Sequence, residues 1–263
     1  MTDDQTMIPD QRREMLMLLL RQHQVLSVAQ LTTMLGVSHM TVRRDIGALE
    51  REGRAFSVPG GVRLASGKRQ EPAFEDKSGA ERTEKAAIAD QAAALLHDDM
   101  VVYLDAGTTT GSLIPAIRER RGLTVITNDF AIVGLLVDAV EVETIHTGGR
   151  LEHTNRSAIG PLAAETLSRI NTDIAFMSAS SWDIKRGVTT PSEGKVAVKQ
   201  AAVSSASSTV LMATSSKFGT FGTYSVVHLA QLDHVITDDH LPEGAASGIR
   251  DLGVDLRIAR TKK

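Results

Sequence analysis

Over residues 9–64 the apolar positions fall into three helical blocks followed by a hairpin. Pro9 and Asp10 signal a helix start, and Met15, Leu16, Leu18, Leu19 and Leu20 give that helix a wide apolar face as far as Gln22. Ser27 caps a second helix in which Val28, Leu31 and Leu35 share a face, and Gly36 ends it where a left-handed residue is needed. Ser38 caps a third, with Val42, Ile46 and Leu49 turned to the core and Met40, Arg44, Gly47 and Arg51 on the opposite side, Arg43 lying between. Arg54 to Val58 and Val62 to Leu64 then read as two strands around the tight turn Pro59-Gly60-Gly61.

Residues 65–85 are polar and charged, and read as a hinge or linker with little core of its own; past Glu75 an ordered helix start fits equally well. From Ala86 to residue 263 the period changes repeatedly. Apolar runs of strand length (Met100 to Leu104, Leu123 to Ile126, Val142 to Ile145, Ile174 to Met177, Val210 to Met212, Val235-Ile236 and Val254 to Ile258) alternate mostly with helix-length stretches such as Phe130 to Val140 and Glu193 to Ser205. That alternation predicts an α/β domain, a mostly parallel sheet with helices on both faces.

Charge sharpens the division. The chain of 263 residues carries a net charge of −3, yet residues 11–66 hold eight arginines against four acids, a local balance of +4. One segment alone is therefore suited to meet phosphate. Two short helices joined by a glycine turn, the second bearing arginines on its outer face, have the geometry that docks in the major groove of double-stranded DNA, with the hairpin as a wing. Candidate DNA-binding residues are Ser38, His39, Met40, Thr41, Arg43, Arg44 and Arg51 on the third helix and Arg54 and Arg63 on the wing; which arginine reads a base and which grips phosphate stays open.

With no cysteine there are no disulfides, thiolate catalysis or cysteine-bound metals, and the eight histidines show no ligand-pair spacing, so neither a metal site nor a cofactor is expected. The absence of long apolar runs and of a signal-peptide build predicts a cytoplasmic protein with no membrane partner.

Strand ends supply the chemistry of the larger domain. Asp105-Ala106-Gly107-Thr108-Thr109-Thr110-Gly111 opens directly into a helix, which fits an anion cradle or an ordinary capped turn equally well, and it is neither a Walker A nor a dinucleotide fingerprint. Thr127-Asn128, then Gly148-Gly149-Arg150, then Lys217 follow other strands. Together they suggest a pocket for a polyol phosphate: Asp105, Gly107, Thr108, Thr109, Thr110, Thr127, Asn128, Gly148, Gly149, Arg150 and Lys217. A sugar-phosphate isomerase with a DNA-binding appendage is the competing reading. It would need a placed base, and Asp105, Asp183 and Glu193 are candidates that no paired-carboxylate motif singles out, so no catalytic residue is assigned.

Ser27-Val28-Ala29-Gln30-Leu31, Leu35-Gly36-Val37-Ser38, Thr41-Val42-Arg43-Arg44-Asp45-Ile46, Leu49-Glu50 and Gly60-Gly61 resemble the DeoR (GlpR-like) family of bacterial sugar-metabolism regulators, and the resemblance covers nearly the whole chain. It implies a helix-turn-helix over Leu26 to Asp45 and a larger α/β domain resembling ribose-5-phosphate isomerase-type enzymes, used for sensing. It further implies a repressor of a carbohydrate or sugar-acid operon, a small phosphorylated sugar or sugar acid as effector, and a homodimer or higher homo-oligomer. Ser178 and Thr214 depart from the family, where glycine and aspartate are common.

Overall fold

The structure, a computed structural model, describes residues 7–261. The three helical blocks form α1 (Pro9–His23), α2 (Val28–Leu35) and α3 (His39–Arg51), with a two-residue strand β1 (Val25–Leu26) ahead of α2. Ser27 closes the start of α2 reciprocally: its Oγ accepts from Gln30 N at 3.2 Å, and Gln30 Oε1 accepts from Ser27 N at 2.9 Å. Leu16, Leu20, Leu31, Val42 and Leu49 interlock as the core of this unit. Arg12, part of the positive balance counted above, is buried in a two-pronged ion pair with Asp45 and joins α1 to α3, so it is unavailable to any ligand.

The wing is β2 (Phe56–Val58) against β3 (Gly61–Arg63), with β1 on the other side of β3. Val58 stands opposite Gly61, leaving Pro59 and Gly60 as the turn, and Gly60 takes the positive φ of +87° that follows proline in a type II turn.

Residues 65–85 are not a free hinge. β4 (Ser66–Gly67) pairs with Thr220–Phe221, and α4 (Phe74–Gly79) and the start of α5 (Arg82–Ala93) follow. Lys85 is buried, its ammonium donating to the carbonyl of Ala80 at 2.6 Å and to that of Lys77. The segment is ordered by partners far along the chain, which its own polar composition does not reveal.

All seven apolar runs of strand length enter one sheet. β5 (Val101–Leu104), α6 (Thr108–Gly111), α7 (Ile114–Arg118), β6 (Thr124–Thr127), α8 (Phe130–Leu136) and β7 (Glu143–His146) run outward to one edge. The hairpin β8 (Arg150–Glu152) and β9 (Ser157–Ile159), with α9 (Pro161–Ser168), returns the chain to β10 (Thr172–Ser178). β11 (Ser181–Asp183), β12 (Gly187–Thr190), α10 (Gly194–Ser205), β13 (Ala206–Met212), β14 (Thr220–Phe221), β15 (Tyr224–Val227), β16 (His234–Asp238), α11 (Glu243–Arg250) and β17 (Asp255–Ala259) complete it. The large sheet is parallel, in the order β17-β16-β13-β10-β5-β6-β7, and β11, β12 and β15 form a small antiparallel sheet of their own.

Alternate strand residues feed two cores. Val102, Leu104, Ile174 and Phe176 meet α5, α7 and α8 through Ile88, Ile117 and Ile132. Tyr103, Ala175 and Met177 meet α9 and α10 through Leu167 and Val198. Strand order reverses between β5 and β10, and in open α/β sheets ligands bind at such a reversal, outside the carboxyl ends of the strands.

The two parts of the chain share a core. Phe56 of the wing is buried among Trp182, Phe218 and Leu241, with its ring edge-on to Phe218 at 5.2 Å between centroids. The second half of α3 lies on α11 so closely that a Cβ on Gly244 would stand 2.9 Å from the carbonyl oxygen of Gly47, and one on Gly248 2.5 Å from that of Arg51.

Candidate DNA interface and effector pocket

At the start of α3, Ser38 Oγ accepts from Thr41 N at 3.2 Å and shares a hydrogen bond with Thr41 Oγ1 at 2.9 Å, so both hydroxyls serve as a cap as well as facing outward. His39, Met40, Arg43 and Arg44 are exposed along the first half of the helix, Met40 at 76%. That is the half which enters a major groove in helix-turn-helix proteins. Gly47, placed by the helical wheel on the same open side, instead meets α11, and Arg51 is exposed at the rim of that contact.

The wing arginines are engaged elsewhere. Arg54 pairs with Glu14 at 2.5 Å and Glu52 at 3.1 Å. Arg63 turns inward and donates to the carbonyls of Leu64 at 2.9 Å and Gly219 at 3.0 Å and to Ser66 Oγ at 2.9 Å; burial lowers its pKa. The expectation that these two lie ready for phosphate is corrected: Arg54 braces α1, and Arg63 fastens the wing to the larger domain. Of these partners Glu52, Leu64 and Ser66 are near in sequence, whereas Glu14 and Gly219 lie far along the chain, beyond the reach of a local reading.

A cavity of about 190 Å³ opens at the strand reversal, its floor formed by Ala106 to Thr109 after β5 and Ser178 to Ser180 after β10. Gly107, Thr108, Thr109 and Lys217 of the expected pocket residues line it. The hydroxyl of Thr109 is buried without a hydrogen-bond partner among the described residues. Lys217, half-buried at the wall, has no hydrogen bond or ion pair at its ammonium among the described residues, and burial, reinforced by Lys85 and Lys77, lowers its pKa to about 8.

Asp105 and Asn128 lie deeper, in a small chamber behind the cavity. Asp105 is fully engaged: its Oδ2 accepts from Ser178 N at 2.9 Å, from Ser178 Oγ at 2.7 Å and from the ammonium of Lys199. Asn128 Oδ1 accepts from Ala106 N at 2.9 Å and from Tyr103 Oη at 3.0 Å. Thr110 and Thr127 donate to the carbonyls of Asp105 at 2.6 Å and Leu104 at 2.8 Å, bracing the loop beneath the cavity. Gly148, Gly149 and Arg150 do not reach the site, because β7, which they follow, is the edge strand two places from the reversal; Gly149 packs on Ala163 and Ile159. The candidate bases of the isomerase reading scatter likewise, Asp183 to an ion pair with Arg186 at 2.8 Å and Glu193 to an exposed position ahead of α10.

The missing wall comes from residues 65–85: Lys68, Glu71, Asp76, Lys77, Glu81 and Lys85 all line the cavity. The run of mixed charge was visible in the sequence, but nothing in it showed where the run folds back. Ser178 and Thr214, the two departures noted above, are both wired in. Ser178 Oγ donates to the Ala106 carbonyl at 2.7 Å, and Thr214 Oγ1 donates to Glu81 at 3.0 Å.

A winged helix-turn-helix with an open arginine-bearing face, sharing a core with an α/β domain whose strand reversal holds a cationic cavity, defines a ligand-sensing DNA-binding regulator. Residues 12–68 match the DeoR-like helix-turn-helix domain and residues 80–239 the DeoR C terminal sensor domain. The chain belongs to the DeoR family of transcriptional regulators. It is 43% identical over 253 residues to an uncharacterized HTH-type transcriptional regulator of Haemophilus influenzae, covering 96% of this chain and 98% of that one. It is 40% identical to the uncharacterized regulator YgbI of Escherichia coli K12, covering 97% and 100%. A putative aga operon transcriptional repressor of Escherichia coli O157:H7 is 29% identical, covering 94% and 92%. Among solved structures, ribose 5-phosphate isomerase A of Methanocaldococcus jannaschii is similar over 51% of this chain and 53% of its own, with 19% identity and a TM-score of 0.38, too slight a likeness to bear on the site. Among the described residues no helix is long and apolar enough to cross a membrane.

Proposed function

We propose that the chain represses an operon for the breakdown of a carbohydrate or sugar acid, and that a phosphorylated sugar-type effector modulates that repression. Residues 9–64 bind the operator through the first half of α3, with Arg43 and Arg44 as the main contacts, Ser38, His39, Met40 and Thr41 beside them and Arg51 at the rim. The chain works as a homodimer or higher oligomer, so that two reading helices meet half-sites about 34 Å apart. Effector binding then acts by linkage on how the helices are presented.

One observation carries the effector class: an ammonium with no partner among the described residues, Lys217, whose charged form is disfavoured by burial and by Lys85 and Lys77, in the same cavity as the unsatisfied hydroxyl of Thr109. Phosphate relieves both, neutralising the lysines and accepting from the threonine. Two relatives named as repressors, the putative aga repressor and AccR of Agrobacterium fabrum, support the sign of regulation.

The test is a mobility shift on DNA flanking the coding region, repeated with a panel of phosphorylated sugars and sugar acids. Arg44→Ala should weaken binding about 5- to 160-fold if one bidentate contact worth about 1–3 kcal/mol is lost. Lys217→Met should bind DNA normally and ignore the ligand that acts on the wild type. A Lys217→Met protein that responds as the wild type does would place the effector elsewhere.

A further inference from the structure

Behind the cavity, the chamber lined by Asp105, Asn128, Asn155, Ser157, Lys195 and Lys199 is densely polar, yet its volume is about 10 Å³, room for about one water. Glu71 lines both spaces, together with Ala106, Ser178 and Ser180, and is the only charged side chain among these shared residues. Its carboxylate bridges two cations: Oε1 to Lys77 at 2.8 Å, and Oε2 to Lys195. Lys195 is fixed in the first turn of α10 and also reaches Glu152 at 3.0 Å, while Lys77 also donates to Asn155. Glu71, by contrast, is carried on an extended stretch with no helix or strand of its own, between β4 and α4. Burial alone would raise its pKa, but Lys195 and Lys77 outweigh it and hold the group at about 2.

We propose that Glu71 is a tethered stand-in for a ligand carboxylate, and that the effector carries a carboxylate besides its phosphate and takes Lys195 and Lys77 over from Glu71. This rests on the larger cavity being the phosphate site. For the two lysines the exchange is isoelectric: one carboxylate leaves and another arrives, while Glu71 regains its hydration in water. A neutral polyol has no such route, because it finds Glu71 in place and a chamber with no space for it. The exchange also has a mechanical consequence. Glu71 lies four residues beyond β4, which pairs with β14 and starts three residues after the end of the wing strand β3, so its release frees the segment that follows the wing.

The experiment uses the full chain and matched ligand pairs, phosphoglyceric acid against glycerol phosphate and phosphoerythronic acid against erythritol phosphate, with calorimetric affinities for the wild type and Glu71→Gln. The acid should bind at least about tenfold more tightly than its matched alditol phosphate in the wild type, and Glu71→Gln should widen that preference by at least about tenfold again, since the resident competitor has lost its charge. In the wild type the acid, and not the alditol phosphate, should speed tryptic cleavage after the exposed Arg69. Equal binding within each pair, or a Glu71→Gln effect that is the same for both ligands, overturns the proposal. Should Glu71→Gln fail to fold, the wild-type preference and the cleavage decide it alone. Alditol phosphates that bind through Lys217 without any preference for the acid would leave the phosphate reading standing and sink this one; no binding by either class sinks both.

Discussion

Phe56→Ala tests whether the wing and the larger domain form one cooperative unit. The ring is 2% exposed, lies edge-on to Phe218 at 77° and covers Gly219, where a Cβ would stand 2.4 Å from Phe56 Cγ. Removing a buried phenyl ring costs about 3–5 kcal/mol, of which an edge-to-face ring pair accounts for about 0.5–1.5 kcal/mol. The ring's partner Phe218 and the other members of its cluster, among them Trp182 and Leu241, belong to the larger domain, whereas the helical core of Leu16, Leu20, Leu31 and Leu49 is separate. The loss therefore falls on the shared core at the docking surface and spares the core of α1 to α3. Urea unfolding followed by Trp182 emission and by far-ultraviolet circular dichroism supplies the assay. Trp182 is the single tryptophan, fully buried and 4.8 Å from Phe218, so it reports the shared core, while dichroism also registers α1 to α3. The wild type should give coincident curves. The variant should show two separated transitions and a red-shifted native emission. A loss under about 1 kcal/mol with the curves still coincident would refute the docking role of the ring.

Gly107→Ala would drive a Cβ to 2.8 Å from Ser178 Cβ; it should cost about 1–3 kcal/mol by overpacking, and a thermal-denaturation cycle should show most of that loss recovered against a Ser178→Gly background. The pH dependence follows from Lys217, whose folded pKa of about 8 lies below its ordinary 10.5. Between those values the unfolded chain binds the extra proton, so this group makes stability rise with pH from about 8 to about 10.5. A phosphate favours the charged lysine, so ligand affinity should fall by up to about tenfold per pH unit above 8 and calorimetry should record proton uptake; pH-independent binding in Lys217→Met and wild type alike would contradict it.

Local periodicity made most of the fold legible. Val42, Ile46 and Leu49 marked the buried face of α3, Ser38 its start, Ser27 and Gly36 the two ends of α2, and each apolar run from Met100 onward became a strand of the large sheet. These signals lie within one element, where side-chain spacing decides which face is covered. Strand order is a different kind of information. Gly107, Thr108, Thr109 and Lys217 meet at the cavity while Gly148, Gly149 and Arg150 sit at an edge, because only the reversal between β5 and β10 brings loops together. The inward turn of Arg63 and the return of Lys68, Glu71, Lys77 and Lys85 over the cavity depend on partners such as Gly219 and Lys195, more than a hundred residues away. A polar segment reads as solvated until those partners are known.

The contact between Gly47 and Gly244, and that between Arg51 and Gly248, is made by main chain against main chain. Two helices separated by long side chains can slide by a fraction of an ångström while rotamers absorb the strain; here only Glu50 and Ile184 offer side chains at the contact, and the backbones themselves meet beside them. A shift of α11, which packs on the sheet through Ala245 and Ile249, therefore presses directly on the backbone of the helix that carries Arg43 and Arg44. The glycines thus act as a stiff axle between the sheet and the reading head.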